Sequence, residues 1–176
     1  MAIPGLFTGR AELESLLSEL ATELARRGVD AEIVMVGGSW MLWHSKRAAT
    51  RDVDSARRLE ADLSTAIEAI GTRHDLQVGW LNDSAAAFWP AGMSFDSCEV
   101  VFQQDGLTVR TPPAAVIFTM KLYRSDPQDR EDMILLWPMC GYRTPGEAVD
   151  AFWAAYPHAP EDAYLEDYVA AIASEA

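Results

Sequence analysis

Glu32-Ile33-Val34-Met35-Val36-Gly37-Gly38-Ser39, followed by Arg51-Asp52-Val53-Asp54, is the stretch that decides how the chain is read. The segment Glu32 to Val36 is short and apolar and follows Gly28-Val29-Asp30, so it reads as a buried strand. Two glycines and a serine then turn the chain into the segment Trp40 to Ser45, which opens as a helix. In Asp52-Val53-Asp54 the alternation of a strand puts both carboxylates on one face and Val53 on the other.

On the N-terminal side, Leu13, Leu16, Leu17, Leu20 and Leu24 recur at helical spacing, and Arg26, Arg27 and Gly28 supply basic charge and a stop. On the C-terminal side, Leu59, Leu63, Ile67 and Ile70 restore the helical period, with Gly71 expected to end that helix. Asn82 or Asp83 of Trp80-Leu81-Asn82-Asp83 is a candidate cap for Ser84 to Trp89. Cys98 to Phe102 and Leu107 to Arg110 flank Asp105-Gly106, which predicts an antiparallel hairpin at a sheet edge. Pro112-Pro113 ends that strand and opens a helix from Ala114 to Arg124, with Val116, Ile117, Met120 and Tyr123 as its apolar stripe. Ser125 or Asp126 then caps the next helix, Pro127 occupies its first turn, and Pro138 ends it. Thr144-Pro145-Gly146-Glu147 matches a capping box, and a last helix begins near Pro160 with Leu165, Val169 and Ile172 on its inner face. The expected fold class is α+β, a small mixed sheet packed with helices. A single domain would span 1–176, its sheet core at about 29–111 and a helical part at about 112–176.

Composition narrows the partners. A chain of 176 residues that is 49% hydrophobic and 10% aromatic suits one core and excludes a disordered polymer. Its 27 acidic and 14 basic residues give a formal charge of -13, which disfavours DNA and favours a cationic or neutral partner. The opening MAIPGLFTGRAEL has no apolar run behind a basic start, and nothing approaches the roughly eighteen apolar residues that span a bilayer. A cytoplasmic location without a membrane partner is therefore expected. Cys98 and Cys140 are far apart and read as reduced thiols, and His44, His74 and His158 share no ligand spacing.

Phosphoryl transfer depends on positioning and charge neutralisation, so its site needs backbone donors, carboxylates for a metal, and a cation. Gly37 and Gly38 let backbone amides approach an anion, the helix that follows adds partial positive charge, and the Ser39 hydroxyl can donate. Asp52 and Asp54, two residues apart on a strand, have Cα atoms about 6.5 to 7 Å apart, close enough to share a hard cation such as Mg2+ or Mn2+. Each piece also has a purely structural reading, a turn for the glycines and a solvated edge for the acids. Their order along the chain is what points to a nucleoside triphosphate with a divalent ion. Trp40 and Trp43 are close enough to the turn to stack on a base. Arg47 and Arg51 either bind phosphate or pair with the surplus acids.

Gly37-Gly38-Ser39 through Arg51-Asp52-Val53-Asp54 resembles the signature of the DNA polymerase beta-like nucleotidyltransferase superfamily. The likeness extends to small bacterial nucleotidyltransferases of the toxin-antitoxin type, related to the abortive-infection AbiEii toxins. It is carried by VGGSWMLW from Val36, RAATRDVD from Arg47, WLND from Trp80, and MKLYRSDPQDREDM from Met120. The resemblance implies Mg2+-dependent transfer of a nucleoside monophosphate from an NTP such as ATP to a hydroxyl. The acceptor would be a tRNA 3′ end or a partner protein, in a toxin-antitoxin or phage-defence pair with a cognate toxin or antitoxin.

Residue by residue, the resemblance assigns nucleotide binding to Gly37, Gly38, Ser39 and Arg51, with Ser39 on a phosphate, and metal binding to Asp52 and Asp54. It gives Lys121 a contact with the nucleotide phosphates, and Asp129 or Asp132 the role of a further catalytic or orienting carboxylate. Lys121 also stands out because only it and Lys46 are lysines. A lysine on an apolar helix can equally snorkel to solvent, and acids in a first helical turn are favoured by the dipole. One departure is evident: many superfamily members carry a third carboxylate on a later strand, and Leu107-Thr108-Val109-Arg110 has none, with Glu99 and Asp105 as the nearest acids. Two alternatives follow. An antibiotic nucleotidyltransferase acting on cationic aminoglycosides or on lincosamides would suit the acidity, and a degenerate fold that only binds would suit the missing acid. A tRNA acceptor would require local basic residues, such as Arg124, Arg130 and Arg143, to gather at the site.

Overall fold

The computed structural model describes residues 6–176, so the reading of the opening MAIPG lies outside the described residues. The chain divides into two compact units, one running up to Ala87 and including Phe95–Pro112, the other Phe88–Ser94 with Pro113–Ala176.

The first unit contains α1 (Arg10–Arg27), β1 (Ala31–Val36), α2 (Gly37–Trp43), β2 (Val53–Ser55), α3 (Ala61–Arg73), β3 (Leu81–Asn82), β4 (Glu99–Gln104) and β5 (Leu107–Thr111). The sheet order is β3-β2-β1-β5-β4. It is mixed: β1 runs parallel to β5 and β2 to β3, while β1–β2 and β4–β5 are antiparallel. The architecture is α+β, as the periodicities predict. The five leucines of α1 pack with Ile33 and Met35 of β1 and with Leu63, Ile67 and Ile70 of α3 in one core. Gly28 ends α1 in the left-handed conformation (φ 69°), which glycine adopts without steric cost. The predicted hairpin joins β4 to β5 through Asp105 and Gly106, both at positive φ, the geometry that suits a two-residue turn to strand twist.

Gly71 does not end α3, which continues to Arg73. It is instead a packing position: a Cβ there would lie 3.1 Å from Cδ1 of Trp80. The Trp80 indole is fully buried, donates from Nε1 to the Ile67 carbonyl at 3.0 Å, and meets the edge of Phe7. A missing side chain on α3 thus makes room for the largest one on the neighbouring segment. Local spacing could not separate this use of glycine from a helix stop.

The second unit contains α4 (Ala114–Arg124), α5 (Asp129–Cys140), α6 (Pro145–Ala155) and α7 (Leu165–Glu175). In α4, Ile117 and Met120 are buried as expected, whereas Tyr123 is exposed and stacks on Tyr156 at 4.0 Å. Asp126 accepts from the Gln128 N–H and shapes the turn ahead of α5 rather than capping its first residue. Pro138 lies inside α5, which runs on to Cys140 and stops at Gly141 (φ 75°). In the last turn proline removes only one of the backbone bonds, so the helix survives it. Thr144 caps α6 as predicted, accepting from the Glu147 N–H, while the Glu147 carboxylate accepts from the Arg143 N–H. The last helix starts at Leu165 and not near Pro160, because Asp162 spends its carboxylate on the Tyr164 N–H in a turn.

Cys98 and Cys140 are free thiols, and burial pushes Cys140 up to about 12, so it stays protonated and inert. Among the described residues no helix is long and apolar enough to cross a membrane.

Candidate functional site

The strand β1 delivers its last residue, Val36, directly into α2, which begins at Gly37 rather than after Ser39. Gly37 has φ 64°, a conformation that favours glycine. The antiparallel register pairs Met35 with Ser55 and Val36 with Asp54, so β2 brings Asp54 beside this bend. A Cβ on Gly37 would sit 2.7 Å from Oδ2 of Asp54. A Cβ on Gly38 would sit 2.8 Å from Nη1 of Arg47 and 2.8 Å from Oγ1 of Thr50. The bare backbone is therefore held between a carboxylate and a guanidinium, and any side chain at either glycine would displace one of them. The first N–H groups of a helix have no partner within it, which is the general basis for anion binding at such an end.

Val53 and Ser55 are buried, and Asp54 between them is half-buried on the opposite face of β2. Asp52 immediately precedes the strand, is half-buried, and accepts from the Thr50 hydroxyl through its backbone carbonyl. Asn82 of β3 is in register with Asp54. The Ser84 hydroxyl lies 2.6 Å from Oδ1 of Asn82 and 3.4 Å from Oδ1 of Asp54. Thr50, Asn82 and Ser84 are neighbours of the acidic strand that spacing alone did not single out, although Asn82 lies within the WLND segment.

Other expected roles meet different surroundings. The Ser39 side chain is fully buried and donates to the Val36 carbonyl at 2.8 Å, so it closes the bend from within rather than presenting its hydroxyl to a phosphate. Arg51 is exposed, with its carbonyl accepting from the Gln77 side chain, and it is Arg47 that adjoins the glycines. Trp40 and Trp43 are core residues and not stacking platforms. The Trp40 indole donates to the Pro112 carbonyl and packs 4.1 Å from His44, and Trp43 is covered by the Arg10 guanidinium at 4.4 Å.

His44 carries a buried Nε2 with no hydrogen-bond partner, and burial lowers its proton affinity. The unfolded chain, with an imidazole near 6.5, then binds a proton that the folded chain refuses, so stability falls as pH drops below about 6.5. The expected outcome is a melting temperature that declines less between pH 7 and 5 in His44→Gln than in the parent protein.

Lys121, Asp129 and Asp132 belong to the second unit and form a cluster of their own. Lys121 Nζ donates to Asp129 at 2.6 Å and to Asp132 at 2.7 Å, all three side chains being more than nine-tenths buried. Arg124 Nε adds a longer contact to Asp129 at 3.6 Å. The cluster staples α4 to α5. Because removing one partner from a buried ion pair leaves uncompensated charge, Lys121→Met is expected to cost about 3 kcal/mol of stability, measured by denaturant unfolding. Arg124, Arg130 and Arg143, also of the second unit, are each in an ion pair, with Asp126, Glu175 and Glu147 respectively.

The strand expected to carry a third carboxylate instead presents Arg110, in register with Val34 and bound to Glu32 at 3.0 Å. The second oxygen of Glu32 takes Arg57 at 3.2 Å. Glu99 is exposed opposite Thr111, and Asp105 is spent in the hairpin turn. Among the described residues no group of three or more His, Cys, Asp and Glu side chains is placed to hold a metal. A cleft of about 450 Å³ lies at the other end of β1, lined among others by Asp30, Glu32, Arg57 and Arg58. Four residues of strand, Ile33 to Val36, separate Glu32 of its lining from the glycine bend, roughly 17 Å along the chain.

Comparison of the chain with protein-family models, with curated proteins and with solved structures finds no match. The functional reading therefore rests on the residues themselves.

Proposed function

We propose that the chain is a Mg2+-dependent nucleotidyltransferase that moves a nucleoside monophosphate from an NTP to an acceptor hydroxyl on tRNA or a partner protein, releasing pyrophosphate. A toxin-antitoxin or phage-defence pair would be its setting. The observation that carries this reading is the bend at Gly37-Gly38, bare of side chains and flanked by Asp54 and Arg47. Backbone donors at the bend would hold the phosphates, and Arg47 would balance their charge. Asp52 and Asp54 would hold the magnesium ion. Two carboxylates suffice for magnesium, whose remaining positions are ordinarily filled by water and substrate phosphates. When bound, the ion would neutralise phosphate charge and orient the acceptor oxygen.

A second reading has a specific observation behind it. With Arg110 standing where a third acid is sought, nothing on β5 can take the proton from an acceptor hydroxyl, which favours a protein that binds the nucleotide without transferring it. The two readings part in one assay. The protein is incubated with each α-labelled NTP, Mg2+, and total tRNA, protein extract or aminoglycosides in separate reactions. Label on tRNA or protein supports the transferase, and label on the drug would move the assignment to the antibiotic class. NTP binding without transfer to any acceptor would establish the binding reading.

A further inference from the structure

A groove of about 370 Å³ in the first unit is lined by Thr8, Gly9, Arg10, Leu42, Ser45, Lys46, Arg47 and Ala48. Three of those side chains are cationic and none is acidic, in a chain of 27 acids and 14 bases. Two carboxylates adjoin this lining, Glu12 bonded to Thr8 and Glu14 to Arg10. Arg47 lines the groove, and its Nη1 stands 2.8 Å from where a Gly38 side chain would begin, so groove and bend share one residue. Arg10 is held in place from two sides, by the Trp43 ring beneath it and by Glu14 at 2.8 Å. Lys46 makes no ion pair among the described residues, and its ammonium is a point charge suited to a phosphate oxygen.

We propose that this groove is a binding site for consecutive phosphate groups, with Arg10 and Lys46 holding them and Arg47 passing the run on to the glycine bend. The chemistry fits two sources, the phosphodiester backbone of a nucleic-acid strand and the polyphosphate tail of a nucleotide. As a subsite beside the bend it rests on the transferase reading, but binding in it requires neither Asp54 nor transfer.

The test measures binding of a fluorescent single-stranded RNA oligonucleotide and, separately, of Mg2+–ATP, to the full chain and to Arg10→Glu, Lys46→Glu and the double variant. Lys46→Glu alone keeps the test decisive should loss of the Arg10–Trp43 contact unsettle the fold. The expected result is at least a tenfold loss of oligonucleotide affinity in Lys46→Glu, with ATP affinity within twofold of the parent and Asp54→Ala still binding the oligonucleotide. Loss of two phosphate contacts should also flatten the slope of log affinity against log salt by about 1.4 in the double variant. Weakened ATP binding with no oligonucleotide binding by any protein would assign the groove to the nucleotide's own phosphates. Parent-like affinity of Lys46→Glu for both ligands, or binding of neither by the parent chain, would overturn the site. Oligonucleotide binding that survives in Asp54→Ala while no protein transfers label would sink the transferase reading alone.

Discussion

Asp54→Ala is expected to reduce nucleotidyl transfer by about 10³-fold or more while leaving the fold intact. Three features converge on that carboxylate. Its strand register with Val36 fixes it beside the bend, its Oδ2 faces the space above Gly37, and its Oδ1 lies within reach of the Ser84 hydroxyl. A carboxylate that would hold the charge-neutralising metal ion supports both the bound triphosphate and the transition state, so its loss falls on affinity and kcat alike, and 10³-fold corresponds to about 4 kcal/mol. Asp54 contributes nothing to the apolar core, which takes Val53 from this strand. The melting temperature of Asp54→Ala should therefore stay near that of the parent. Asp54→Asn, which keeps shape and loses charge, should fail in the same assay. A melting temperature that drops in step with activity would mean that Asp54 acts through the fold.

Trp80→Ala is expected to cost about 4 kcal/mol and to lower the melting temperature by about 10 °C. The indole is 1% exposed, fills the notch left by Gly71, and contacts both α3 and Phe7. Truncation would leave a cavity in the wall behind β3, together with the lost bond to the Ile67 carbonyl. Since β3 extends the sheet beside Asp54, the same variant should lower nucleotide affinity without touching any residue of the bend. Filling the notch from the other side, as in Gly71→Leu, should destabilise through overpacking against the same ring. Thermal unfolding followed by circular dichroism reads both effects.

The contrast between Gly28 and Gly71 explains which parts of the molecule were legible in the sequence. Helical spacing of apolar residues announces the buried face of α1, while the β4–β5 hairpin and the cap at Thr144 follow from local turn and capping residues. A glycine that stops a helix and one that admits a distant tryptophan look alike in sequence, because the partner is set by tertiary packing. The same holds for Pro138, whose place in a last turn rather than beyond it depends on how α5 is held.

Candidate site residues divide along the same line. Asp54 and the glycines lie next to each other because β1 and β2 are adjacent antiparallel strands. The engagement of Ser39 with Val36, of Lys121 with Asp129 and Asp132, and of Arg110 with Glu32 is a matter of local rotamers and buried charge, and no spacing rule encodes it. Arg47 and Arg51 flank the same loop and were equivalent by composition. Only the folded path of the loop puts Arg47 at Gly38.

The central claim is that the bend at Gly37-Gly38, together with Asp52 and Asp54, binds a metal–triphosphate. Calorimetric titration of ATP, GTP, CTP and UTP into the full chain, with Mn2+ in place of Mg2+, tests it most directly. At least one triphosphate should bind with a one-to-one stoichiometry in the parent protein, and that binding should disappear in Asp54→Ala. Absence of binding for all four triphosphates, or equal binding by the parent and by Asp54→Ala, would contradict it.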